Sequence, residues 1–174
     1  DLSRGNFIRA SFIGACLKYA ALNDSLLEGA CLEKSLAVGA IFTNADLKKA
    51  SFREADVTRA DFSGAAASYA DFSGTTAHSA TFDGAKGGYV LFAGSDLRES
   101  RADEDTSFDN TDFQHADLSE ANWEGADLEG AKFNFANLSM ADFSRCNLQH
   151  ADFYRSVAKQ ARFIKADLSD SNMV

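Results

Sequence analysis

The chain has 174 residues, 45% of them hydrophobic, which is enough for one domain with a continuous core, and no stretch is apolar enough to cross a membrane. A formal charge of −9 argues against direct binding to nucleic acid. Proline is absent, so every backbone N–H is available for ladder bonds, and the three cysteines (Cys16, Cys31, Cys146) show neither disulfide nor metal-ligand spacing.

From the first residues onward a large apolar side chain recurs every five positions: Leu2, Phe7, Phe12, Leu17, Leu22, Leu27 and Leu32, then Phe42, Leu47, Phe52, Val57, Phe62, Phe72, Phe82, Phe92 and Leu97. After one extra residue the spacing resumes at Phe108 and runs through Phe113, Leu118, Trp123, Leu128, Phe133, Leu138, Phe143, Leu148, Phe153, Phe163 and Leu168 to Met173. Ala37, Ala67, Ala77, Gly87, Ala102 and Ala158 fill the same slot with something small. Residues five apart share a face in neither a helix nor a strand, so the chain must turn a corner within each unit. The position two before each large residue is nearly always alanine, as at Ala10, Ala60 and Ala131, so two of every five side chains point inward. The position just before it is often Asp or Asn, whose short side chains bond nearby backbone at turns.

Units such as Ala45-Asp46-Leu47-Lys48-Lys49, Ala70-Asp71-Phe72-Ser73-Gly74 and Ala116-Asp117-Leu118-Ser119-Glu120 resemble the A-(D/N)-(L/F)-x-x motif of the pentapeptide repeat family, and the likeness spans the chain. The resemblance implies an all-β fold, a right-handed quadrilateral parallel β-helix with four units per coil. Residues 1–174 then form a single domain of about 8–9 coils, a rod on the order of 40 Å long, with one short bulge near 103–107. The four sides of the square are numbered here from the units centred on Leu2, Phe7, Phe12 and Leu17. Phenylalanines in the large slot, with Trp123, then fall on sides one and three, while sides two and four carry leucine or smaller residues; Phe7 and Phe108 break the rule. A narrow prism has no volume for four aromatics per layer.

No phosphate loop, nucleophile elbow, zinc-protease helix or calcium-binding helix–loop–helix motif occurs. His78 and His115 have no companions at ligand spacing, so solvated histidines are expected; Cys146 and His150 are four apart, but in the repeat one points in and the other out, so they are not expected to chelate a metal together. A convex prism offers no pocket for converging groups, so the expectation is a non-enzymatic protein with no cofactor and no metal.

Charge is unevenly distributed. Up to Ala102 there are twelve acids and eleven bases; from Asp103 onward there are fourteen acids and six bases. Asp103, Glu104, Asp105, Asp109, Asp112, Asp117, Glu120, Glu124, Asp127 and Glu129 occur with no Lys or Arg among them, starting at the inserted residue. Consecutive units lie on successive sides, so these acids form a belt around the rod. Tyr69 and Tyr89, twenty apart on side two, are expected to stack on adjacent coils. The candidate interaction surface is therefore Asp103, Glu104, Asp105, Asp109, Asp112, Asp117, Glu124, Asp127, Tyr69 and Tyr89. A weak calcium site at Asp103, Glu104, Asp105 and Asp109 is a further reading of the carboxylates, without any known loop spacing to support it.

The resemblance implies a bacterial protein-interaction scaffold with an unassigned protein partner. It also implies an alternative, because some family members mimic DNA, bind gyrase and confer quinolone resistance. A mimic needs acids along the rod, and the best lengthwise series (Asp56, Asp96, Asp117) is broken by Thr76 and followed by Asn137. The chain starts with Asp inside a unit, as a mature fragment or excised domain would, and neither terminal stretch carries a capping helix. End-to-end homodimers or a flanking domain are expected for that reason, in a soluble, cytoplasmic protein.

Overall fold

A computed structural model describes all residues from Asp1 to Val174. The chain winds into a right-handed square coil. Each bridged residue pairs in parallel with the one twenty positions later, Asn6 with Leu26, Leu26 with Asp46, and so on to Asp152 with Asn172. Across the insertion the step becomes twenty-one, as in Lys86 with Ser107 and Arg101 with Asn122.

Each unit spends one residue on the ladder, two on the core and two on a corner. The corner closes when the small residue's N–H donates back to the carbonyl of the residue in the large slot, as from Ala10 to Phe7 and from Ala70 to Ala67, both at 2.9 Å. The third residue of each such turn has positive φ, the signature of a type II turn. Left-handed backbone costs an L residue about 1–2 kcal/mol, yet twenty-four non-glycine residues and only nine glycines adopt it here. The ladder over-determines these corners, because the strained residue also donates its N–H to the next coil, as Arg4 does to Asn23 O at 2.9 Å. Asp and Asn before the large residue accept from the backbone two residues on: Ser63 N–H to Asp61 at 2.9 Å, Ser119 N–H to Asp117 at 2.9 Å, Ser144 N–H to Asp142 at 2.9 Å.

The core is one continuous cluster of 46 buried residues. On side three, Phe52, Phe72, Phe92, Phe113, Phe133 and Phe153 form an unbroken column of parallel rings with centroids 4.7–5.4 Å apart. On side one, Phe42, Phe62 and Phe82 stack at 5.0 and 5.2 Å. Rings of the two columns meet edge to face, Phe52 with Phe62 at 88° and Phe62 with Phe72 at 85°. Both arrangements satisfy the ring quadrupole.

The side-one column breaks at Ala102. Trp123, in the following coil, leans across that layer until its ring lies 5.9 Å from Phe82, two coils away. Phe108 fills the remaining space and touches Phe82, Phe92 and Trp123 at 6.0–6.1 Å. This explains the exception on side two: the aromatic missing from side one is supplied by the adjacent side of the same coil. Gly87, directly before Phe108 on side two, has no room for a side chain, since a Cβ there would lie 2.5 Å from Ser68 N and 2.6 Å from Ala67 C.

Candidate interaction surfaces

The inserted residue changes how one corner is turned. Here Thr106 N–H bonds to Asp103 O at 3.0 Å, so the turn starts one residue late. This is the one complete unit without a positive-φ residue. The extra residue lets the chain round the corner with ordinary backbone angles, but it displaces two ladder bonds. Gly84 N–H, whose counterpart Gly64 N–H reaches Asp83 O, donates instead to Asp103 Oδ1 at 2.8 Å. Asp105 N–H also turns to Asp103 Oδ1, at 3.1 Å. The Thr106 hydroxyl completes the knot, with both Asp103 Oδ1 and Phe82 O at 3.0 Å as acceptors for its one proton. Partial burial pushes the Asp103 carboxyl up, but these backbone and hydroxyl donors outweigh it and hold the group below the usual carboxylate range.

Beneath this turn a polar cleft of about 380 Å³ opens on side one, lined by Asp103, Glu104, Asp105, Glu124, Gly125 and Arg145. Arg145 spans it to Glu124 Oε1 with two bonds of 2.6 and 3.0 Å. A smaller cleft of about 150 Å³ follows on the same side, lined among others by Arg145, Arg162 and Lys165. Acidic and basic walls thus adjoin along one face. Asp83, on the same face, has its carboxyl raised by partial burial and by the nearby Asp103 and Asp61, against the pull of Arg101.

The structure distributes the acidic residues over all four sides, and it gives them different work. Asp112, Asp117 and Asp127 each accept from their own turn, at 2.9, 2.9 and 3.3 Å. Asp117 and Asp127 also accept from Asn137 and Asn147 of the next coil, at 3.0 and 2.9 Å. These carboxylates are part of the fold's own hydrogen bonding. Asp103 is occupied by backbone donors and Glu124 by Arg145, while Asp109 sits on side two over Gly88. The calcium reading is thereby corrected: Asp109 is on a different side from Asp103, and no group of three potential metal ligands forms. Glu104 and Asp105 project from the turn, and the belt ends at Glu129, after which the chain carries six bases and four acids. On side four Asp56, Thr76, Asp96, Asp117 and Asn137 form the lengthwise series, with Asp96 neutralised by Arg98 at 2.7 Å.

Tyr69 and Tyr89 stack face to face, centroids 5.3 Å apart and 2° from parallel, both about half exposed. A second exposed aromatic cluster lies outside the residues expected from the sequence. His115 stacks on Phe135 at 4.9 Å, Tyr154 meets Phe135 edge-on at 5.7 Å, and the Arg155 guanidinium lies over both Tyr154 and Phe135. The expectation of a merely solvated His115 misses this partner. His115, Phe135 and Arg155 hold the same corner position at twenty-residue spacing, the register that reveals the tyrosine pair, so a search of that register finds them.

No helix is long and apolar enough to cross a membrane. No curated protein sequence matches the chain significantly. Among solved structures, a trypsin-treated form of QnrB1, a plasmid-mediated fluoroquinolone resistance protein, superposes with a TM-score of 0.71 at 20% identity over 98% of this chain and 80% of that one. The pentapeptide repeat protein Rfr23 from the cyanobacterium Cyanothece 51142 gives 0.52 at 21% identity, over 54% of this chain and 64% of its own. At such identities the likeness is one of fold. The family described as pentapeptide repeats matches in eight copies over residues 1–29, 22–64, 58–86, 106–145 and 136–173, leaving out the stretch that holds Gly87, Ala102 and the insertion. With matches from the first coil to the last and the square parallel coil in view, the chain belongs to the pentapeptide repeat family.

Proposed function

We propose that this protein is a non-enzymatic interaction scaffold that presents fixed side-chain patterns on the flat faces of a rigid rod. One observation carries the reading: the interior is filled by the two aromatic columns, so anything the protein recognises must be met on its outer faces. There the ladder holds side chains at coil spacing, as in the Tyr69–Tyr89 stack. Pre-ordered aromatic and charged groups lose little entropy on association, which favours a protein partner. A cytoplasmic setting fits this reading. So does end-to-end pairing through the partly buried Leu2, Phe7 and Phe12 of one terminal coil and Phe163 and Leu168 of the other. Sedimentation velocity that shows only monomer at high concentration would rule out that pairing.

The alternative, a gyrase-directed DNA mimic, draws on the uninterrupted acids between Asp103 and Glu129. Their arrangement around the rod, with several engaged in turn bonds, favours the scaffold. A gyrase supercoiling assay separates the two. The informative control is Glu104→Gln with Asp105→Asn and Asp109→Asn, which removes charge and spares the structural Asp103. No inhibition by the wild type is expected; inhibition lost in that control would establish the mimic instead. Crosslinking the purified protein to its partner, followed by mass spectrometry, tests the scaffold directly, with crosslinks on the flat faces as the expected result.

A further inference from the structure

We infer that the corner formed by His115, Phe135, Tyr154 and Arg155 is a docking site for an acidic, apolar segment of a partner protein; this rests on the scaffold reading and names the chemistry of one of its faces. Phe135 is the informative residue. It occupies a corner with φ of +60°, a conformation that Gly or Asn adopts at lower cost, and it leaves 44% of its surface in water. Neither the corner nor the core requires a phenyl ring there. Tyr154 and Val157 extend the exposed apolar surface, at 36% and 46%. Aromatic side chains with an arginine across them have the composition of an interface hot spot.

The charges around the patch select the partner. Asp152, one acid on the same face, has its oxygens taken by Asn134 at 2.7 Å, Asn172 at 2.8 Å and Tyr154 N–H at 3.1 Å, and Asp112, paired with Lys132 on the ladder, accepts from the Gln114 backbone and side chain at 2.9 and 3.3 Å. Asp117, on the neighbouring side, is held in the same way by Ser119 N–H and Asn137. In contrast Lys132, Arg155 and Lys159 have no carboxylate within ion-pair distance; the nine ion pairs of the protein involve other bases. The aspartates of this face are saturated, whereas its cations have no carboxylate partner. A partner that brings carboxylates beside apolar side chains completes both sets. A nucleic-acid strand fits less well, because its continuous run of phosphates cannot avoid Asp112, Asp117 and Glu120, which flank His115, whereas a short peptide can set its carboxylates at Lys132, Arg155 and Lys159 alone.

Fluorescence anisotropy tests this with a short labelled peptide that alternates Glu and Asp with Leu and Phe, beside a peptide in which Lys replaces the acids. The acidic peptide is expected to bind, with an affinity at least about tenfold lower after either Phe135→Asn or Arg155→Gln and unchanged after Arg9→Asn. Phe135→Asn is expected to keep or raise the melting temperature, which separates lost recognition from lost folding. Equal binding of the lysine peptide, failure of the acidic peptide to bind, or binding that survives both variants overturns the site. In that event a partner crosslinked elsewhere leaves the scaffold reading in place. A single-stranded oligonucleotide that binds more tightly than the peptide and depends on Phe135 would also overturn it, as would a dimer that Phe135→Asn dissociates.

Discussion

The indole N–H of Trp123 donates to Ser100 Oγ at 3.0 Å inside the core, across twenty-three residues of sequence. Both residues are fully buried. The bond exists because Ala102 leaves a gap in the side-one column and the tryptophan that fills it brings a donor needing a partner. Ser100→Ala leaves that donor unsatisfied and is expected to cost roughly 1–3 kcal/mol. Combining it with Trp123→Phe is expected to cost less than the sum of the single changes, and a double-mutant cycle in urea measures the difference.

Phe72 stacks between Phe52 at 4.7 Å and Phe92 at 5.0 Å and meets Phe62 and Phe82 edge-on. Phe72→Ala is expected to destabilise by about 3–5 kcal/mol, because neighbours held by the ladder cannot collapse into the space. A loss under about 1 kcal/mol in equilibrium unfolding would contradict the column packing.

Asp103 gives the fold an acid-sensitive point. Its carboxyl ionises at a lower pH in the folded protein than the value of about 3.9 in an unfolded chain. The stabilisation is therefore complete above that value and is lost as pH falls through the folded one. Asp103→Ala is expected to cost roughly 1–2 kcal/mol at pH 7 by releasing the Gly84 and Asp105 N–H groups. Urea titrations at neutral and acidic pH should show the gap between variant and wild type narrowing as acid is added.

Gly87 offers a steric test. Its Cβ position lies against the Ala67–Ser68 backbone, which the ladder prevents from yielding. Gly87→Ala is expected to destabilise by about 1–3 kcal/mol, measurable by thermal unfolding, whereas Gly94→Ala meets no atom within 4 Å and is left with only the strain of its positive φ.

The three thiols differ in reach. Cys16 is exposed, Cys31 half-buried and Cys146 buried, with the pKa of its thiol pushed up to about 12 by desolvation and its Sγ donating to Trp123 O at 2.9 Å. Thiol titration with an aromatic disulfide is expected to modify Cys16 readily and Cys146 only after denaturation. Prompt reaction of all three in native protein would contradict its burial.

Much of this molecule follows from a local rule. The five-residue period places Phe72, Ala70 and Asp71 in their roles wherever they occur, because each unit turns the same corner and meets only the unit one coil away. The inward alanines, the turn-bonded aspartates and the alternation of aromatics between opposite sides are legible for that reason, as is the stacking of Tyr69 on Tyr89. The candidate site is less legible. Asp117 and Asp103 look alike in sequence as acids of one belt, but one bonds its own turn and an asparagine of the next coil, while the other replaces ladder carbonyls at a displaced corner.

The order of residues dictates a corner in every unit, because a five-residue repeat with one large and one small inward residue buries both in neither helix nor strand; that four such units close one coil is what the family resemblance implies. How the exceptions are absorbed, and what the surface presents, is settled by contacts between coils. Trp123 reaches Phe82 past Ala102, and His115, Phe135 and Arg155 come together on one corner, because coil winding brings residues twenty or forty apart into contact. Departures from a repeat are resolved by three-dimensional packing, not by the repeat itself.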